Sequence, residues 1–216
     1  MKTTFFSCLL FFILIFSFVS FAQRTFAAND KPSFFTSTDQ SNWVYILKDK
    51  SIDPSFVFKM DKGILKITGI SNGYLRTGKL YSEFELYAQW RWTDAPGNSG
   101  VLVYIQPKDT IWPACYQIQQ KAGDAGDIIC MNGMWAKECT DKVKFTVKKM
   151  QPSNEKPVGE WNTMKVICKD NTIKVFVNGV LQNEISGLTA TKGFIGFQNE
   201  GKPLEFKNLS VKNLKR

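Results

Sequence analysis

The feature that most constrains this chain is two-residue alternation. In SEFELYAQWRW, Phe84, Leu86, Ala88, Trp90 and Trp92 fall on one face, and Glu83, Glu85, Tyr87, Gln89 and Arg91 on the other. That is the pattern of a strand with one buried side, and it excludes a helix there. The same period returns in NTMKVICKD and NTIKVFVNGV, with Lys169-Asp170-Asn171 as a hairpin turn between them, and Asn178-Gly179 is the strongest two-residue hairpin signal in the chain. GVLVYIQ reads as a shorter extended run, and KGFIGFQNEGKPLEFKNLSVKNL supplies two or three more strands around Glu200-Gly201-Lys202-Pro203. Roughly a dozen short strands separated by Gly, Asn, Asp and Pro turns predict an all-β sandwich or jelly roll, antiparallel because the turns are short. The longest loop is expected between Met131 and Gly159, with KVKFTVKKM inside it as a candidate hairpin.

The first residues read as an address rather than as structure. Lys2, the apolar run Leu9 to Val19 and the small-x-small site Ser20-Phe21-Ala22 have the layout of a secretory signal, too short to span a bilayer. Residues 1–22 are therefore expected to be a cleaved leader, with a second cut site near Ala27-Ala28. Residues 29–216 are expected to form one domain in an exported protein, periplasmic or secreted, with no membrane insertion. Four cysteines remain: Cys115, Cys130, Cys139 and Cys168. Export permits disulfides among them, and Cys130 with Cys139 could staple a loop; the alternative is buried free thiols.

There is no histidine, which removes a Ser-His-Asp triad, a Cys-His pair and His-ligated zinc. Acid–base work falls to carboxylates, Lys, Tyr or water. The net charge is +9, or +8 once Lys2 leaves with the leader, but the lysines are scattered with no Arg-rich strip interleaved with aromatics. Nucleic acid is not an expected partner.

Four polar clusters fall at strand positions or strand ends: Arg91; Asn98-Ser99-Gly100; Gln117 and Gln119 with the GDAGD turn that ends in Asp127; and Gln198 with Glu200, opposite Ile195 and Phe197. On neighbouring strands they would put an Arg, an Asn, three Gln and one or two carboxylates on one surface. Amides donate and accept together, which suits sugar hydroxyls, so carbohydrate is the expected partner. Trp135 is the candidate aromatic wall. Taken singly, each has a plainer reading as a solvated strand face, a turn or core.

In order along the chain, NGYLRTGKLYSEFELYAQWRW, GNSGVLVYI, YQIQQKAGDAGD, PVGEWNTMKVICKDNTIKVFVNGV, GFIGFQNEG and LEFKNLSVKNL together resemble the 3-keto-disaccharide hydrolase domain family, from about Asn42 to the C-terminus. The resemblance implies a concanavalin A-like jelly roll of two curved antiparallel sheets, with a carbohydrate site on the concave face. It also implies bacterial export. The family motif usually has Glu at the position of Gln117, so here a carboxylate is replaced by an amide that cannot be a general base. In such chemistry a C3 keto group acidifies the C2 proton, a base removes it, the C1 group departs and water adds. Glu200 and Asp127 are the expected base and acid, with Arg91, Asn98, Gln117, Gln119, Gln198 and Trp135 binding substrate. No organic cofactor is expected; a divalent cation such as calcium at the GDAGD turn is the minor alternative. Besides a 3-keto-glycoside hydrolase, the sequence admits a lectin-like binding module on the same fold and, below both, a two-carboxylate glycosidase.

Overall fold

The hairpin signals act where the sequence places them. Asp170 and Asn171 both have positive φ, 48° and 55°, as do Asn178 and Gly179 at 47° and 83°. These two-residue turns twist in the sense of the strands they join. The computed structural model describes residues 42–214, so the expected leader and its cut sites lie outside the described residues. Fourteen strands follow: β1 (Trp43–Leu47), β2 (Phe58–Asp61), β3 (Ile64–Ile67), β4 (Gly73–Thr77), β5 (Phe84–Trp92), β6 (Gly100–Ile105), β7 (Cys115–Gln119), β8 (Ile128–Met131), β9 (Thr146–Val147), β10 (Asn162–Lys169), β11 (Thr172–Val177), β12 (Val180–Ser186), β13 (Phe194–Asn199) and β14 (Leu204–Asn213). The KVKFTVKKM segment forms no hairpin; it contributes only β9, a two-residue edge strand on β8.

The strands form two antiparallel seven-stranded sheets. The front sheet has the order β1-β4-β13-β6-β7-β8-β9, and the back sheet β12-β11-β10-β5-β14-β3-β2. The chain crosses repeatedly between them, so strands far apart in sequence become neighbours. This is the jelly-roll arrangement expected from the alternation. β5 lies centrally in the back sheet between β10 and β14, and its odd–even pattern is realised without a break: every second residue from Phe84 to Trp92 is buried.

Between the sheets, Phe84, Leu86, Trp90, Val166, Val175 and Phe206 face Leu75, Val101, Tyr116, Ile118, Ile195 and Phe197, all at 0–1% exposure. Phe197 and Phe206 meet edge to face across the gap with centroids 5.1 Å apart. Each such side chain contributes about 1.5–3 kcal/mol of burial free energy, so this core is what orders the sandwich. A bulge opposite Phe194 and Gly196 turns Tyr104 (φ 55°) inward against Phe84 and Tyr116, next to the equally inward Val103. Ile105 is thereby sent to the outward face.

The four cysteines are buried and unlinked. Burial pushes the Cys130 thiol up to about 12, reinforced by the adjacent Cys139. Burial raises Cys115 and Cys168 further. Cys115, Cys130 and Cys168 are therefore held as neutral, apolar-packed thiols.

Candidate functional site

The outward face of the front sheet carries the polar residues. Registers across it align them in rungs. One rung runs Tyr74, Gln198, Gly100, Gln119, because Tyr74 pairs with Gln198, Phe197 with Val101, and Gly100 with Gln119. The next runs Arg76, Gly196, Leu102, Gln117. On the other side Glu200 bridges Asn98. On the outer face of the back sheet, Glu85, Tyr87, Gln89 and Arg91 are only half-buried. The front-sheet residues, although they point away from the core, are far less exposed: Gln198 2%, Gln117 4%, Gln119 7% and Arg76 8%. They form a covered polar group on that face.

Within it the amides form a chain. Gln117 Nε2 donates to Gln119 Oε1 (3.2 Å) and to Gln198 Oε1 (3.0 Å). Gln198 Nε2 donates to Glu200 Oε2 (2.7 Å). The direction of the chain is set by the backbone, since Gln119 Oε1 also accepts from the N–H groups of Gln120 and Lys121, each at 3.0 Å. Gln119 therefore presents its oxygen, Gln117 must answer with nitrogen, and so on to Glu200. Gln119 is left with its own NH2 to donate, and Gln117 with its oxygen to accept. Gly100 makes this possible: a Cβ there would lie 2.7 Å from Gln117 Cγ and 2.9 Å from Nε2. Asn98 Oδ1 is buried beside Glu200 without a partner, an unmet acceptor at the edge of the same group.

The fold thus brings Asn98, Gln117, Gln119, Gln198 and Glu200 together. Arg91 is not among them. It lies on the back sheet, where its cross-strand neighbour is Glu205, and its guanidinium pairs with that carboxylate (2.7 Å) and stacks on Trp161. Alternation identified its face correctly, but that face belongs to the other sheet. Arg91→Ala is accordingly expected to leave turnover unchanged and to cost at most about 1 kcal/mol, because a partly exposed pair contributes little; kinetics and thermal melts check both.

Asp127 sits at the β7–β8 turn beside Gln119, whose N–H bonds the Asp127 carbonyl. Its buried carboxylate accepts from Lys148 Nζ (2.7 Å) and from the Lys149 backbone N–H (2.8 Å). Hydrogen bonding to Asp127 raises Lys148 above the usual lysine range. At Asp124, burial opposes ionisation, but Lys121 and Lys148 outweigh it and hold the carboxyl low. The GDAGD turn is thus a closed ion-pair cluster, and its donor set does not fit a calcium ion: both Asp127 oxygens are engaged, and among the described residues no three acidic or Cys side chains converge.

Trp135 does not join this group either. It packs against the inter-sheet core at the end of the sandwich, its carbonyl accepts from Tyr116 Oη (2.7 Å), and Lys142 covers its ring.

The cation on the polar face is Arg76, which alternation within GYLRT places with Tyr74 but which the five-residue strand made easy to overlook. All three of its nitrogens are hydrogen-bonded: Nε and Nη2 clamp Asp109 at 2.8 Å each, Nη1 donates to the Thr77 carbonyl, and the group lies 4.0 Å from the Phe194 ring. A separate open depression of about 800 Å³, lined by Lys48, Asp49, Lys50, Ser51, Ile52, Ser71 and Asn72, adjoins β1 and β4. It is made of exposed and half-buried loop residues and lacks a comparable set of converging buried groups.

The two-sheet sandwich is a fold this chain shares with solved structures that include a carbohydrate-binding module and a β-glucanase. This chain belongs to the family of 3-keto-alpha-glucoside-1,2-lyase-like domains, which it matches over residues 31–212. No curated protein matches it. Among solved structures it is similar to a glycosyl hydrolase candidate of Parabacteroides distasonis ATCC 8503, at 22% identity over 80% of this chain and 99% of that one, TM-score 0.57. It is also similar to carbohydrate-binding module CBM66 of Bacillus subtilis (10% identity, 80% and 96% covered, TM-score 0.56). A third likeness is to the Bacillus licheniformis β-glucanase (15%, 86% and 97%, TM-score 0.55). At these identities the likeness is one of fold.

Proposed function

We propose that this protein is an exported enzyme that cleaves 3-keto glycosides by removing the C2 proton and expelling the C1 substituent, with water adding to the enone. The observation that carries the reading is Glu200 as the acceptor that ends the amide chain running from Gln117 through Gln198, in a chain that belongs to this family. Glu200 makes no ion pair among the described residues and is half-buried, so its Oε1 is available to take a proton. The proton moves from C2 to Glu200, the C2–H electron pair forms the C1–C2 double bond, and the C1–O pair leaves with the aglycone. Asn98 and the free NH2 of Gln119 are the nearby donors for the C3 oxygen, on which charge develops. Gln117 and Gln198 hold the carboxylate and the hydroxyls in place. Asp127, neutralised by Lys148, serves this arrangement as a support for the β7–β8 turn.

A lectin-like module is the second reading. What favours it is Gln117: the position where the family motif usually carries Glu is an amide, and Glu200 is the one carboxylate on these rungs, among the described residues, that no cation touches.

The test is incubation with a 4-nitrophenyl 3-ketoglucoside beside the ordinary glucoside. Release of nitrophenol from the keto sugar alone is the expected result. Release from the ordinary glucoside alone would make it a conventional glycosidase. No release from either, with heat of sugar binding in calorimetry, would make it a binding module.

A further inference from the structure

The outward face of the front sheet has a second half, and it is apolar. Tyr74, Leu102, Ile105 and Cys115 are 0–2% exposed although they point away from the core, with Ile46, Met131 and Phe194 packed round them. Side chains on the outside of a sheet become this buried only when something lies over them. The loop 106–114 runs beside this part of the face. It joins the neighbours β6 and β7, and its neck is closed by Gln106 N–H to the Ala114 carbonyl (2.9 Å). From there it is spread sideways. Asp109 reaches Arg76 on β4, beyond β13, and Asn132, just past β8, donates to the Trp112 carbonyl, which Thr110 Oγ1 also bonds at 2.9 Å. The loop therefore reaches from β4 to β8 at this end of the sheet, next to the rung that carries Arg76 and Gln117.

Trp112 stands on the β8 side of that loop, and the residue remains 38% exposed. Indole is costly to leave in water, and here it belongs to a loop pinned at several points rather than to a free tip.

We propose that Trp112 is the aromatic platform of this site, packing on the sugar whose hydroxyls the Gln117–Gln198–Glu200 chain binds, with the Arg76–Asp109 pair as the positioning device that holds its loop. The role expected for Trp135 from the sequence passes to Trp112. This rests on the reading of the amide group as a carbohydrate site. The aliphatic C–H faces of a pyranose suit an indole, and a ring that contacts substrate before and during reaction changes KM more than kcat.

The experiment uses the whole protein with a 4-nitrophenyl 3-ketoglucoside, and follows the indole N–H resonance of Trp112, assigned through Trp112→Phe, during titration with that glycoside and with 4-nitrophenyl glucoside. Trp112→Ala is expected to raise KM about tenfold with kcat within twofold, Trp112→Phe to recover most of that loss, and the wild-type resonance to shift on titration. Asp109→Asn is expected to raise KM in the same direction. If the wild type releases nitrophenol but Trp112→Ala keeps its KM within twofold and the resonance stays fixed, the platform is overturned and the enzyme reading stands. If nothing is released but the resonance shifts, the platform holds and the site is a binding module. If neither occurs, both are overturned.

Discussion

Replacing Glu200 by glutamine is expected to lower turnover of a 3-keto glycoside by two orders of magnitude or more, about what a positioned general base contributes. Stability should change little. Glu200 is only partly buried and carries no ion pair among the described residues, so no stranded charge follows its removal. A glutamine there can still turn its oxygen toward Gln198 Nε2, keeping the bond that Oε2 now accepts at 2.7 Å. The melting temperature should therefore stay within a few degrees of the parent, as for changes below about 1 kcal/mol in a domain of this size. Steady-state rates beside a thermal melt check both halves. A variant with undiminished turnover would show that the C2 proton goes elsewhere, and a variant that loses activity only because it unfolds would show that Glu200 is structural.

Particular residues show how much of this was legible beforehand. Alternation put Gln117 and Gln119 on one face of their strand, and Gln198 and Glu200 on one face of theirs, and both assignments hold because side-chain direction along a strand is a local property. Turn chemistry located the β10–β11 and β11–β12 hairpins for the same reason. Which sheet a face belongs to is not local. Arg91 and Arg76 both alternate correctly, yet only the pairing of β4 with β13 sets Arg76 beside the amides, and only the pairing of β5 with β14 gives Arg91 to Glu205. Those pairings join strands more than a hundred residues apart, so the sequence around either arginine carries no trace of them. The bulge at Tyr104 was hidden too, since GVLVYIQ reads as a uniform apolar run until the core requires two successive residues to face inward. Trp135 and Trp112 both lie in loops, where period says nothing. They are told apart by what holds each loop: Tyr116 and the core for Trp135, Arg76 and Asn132 for the segment carrying Trp112.

Gln117→Glu is expected to make stability strongly dependent on pH. The amide is 4% exposed, and its nitrogen donates to two oxygens, neither of which can turn away. Gln119 Oε1 is held by two backbone N–H groups, which a flipped amide would face with its own hydrogens. Gln198 cannot flip without setting its oxygen against the Glu200 carboxylate. An ionised carboxyl at 117 would therefore be buried among acceptors with no donor in reach, while a protonated one can still donate to one of them. Both effects raise the folded-state pKa of the introduced group, by roughly two units or more above an ordinary glutamate. The sign follows from linkage: a group that binds its proton more tightly when folded keeps its full share of stability below the unfolded value near 4.3, and loses it as pH rises through the folded value. The variant should melt close to the parent near pH 4 and well below it at pH 8, by about 3 kcal/mol, on the order of 8 °C for a domain of this size. Melts of both proteins at the two pH values decide the matter. An equal gap at pH 4 and pH 8 would mean that the amide chain does not run as described. A glutamate at this position in a relative needs a donor at 119 or 198 to meet it. In this chain both positions are already turned the other way, which is why the glutamine cannot be exchanged alone.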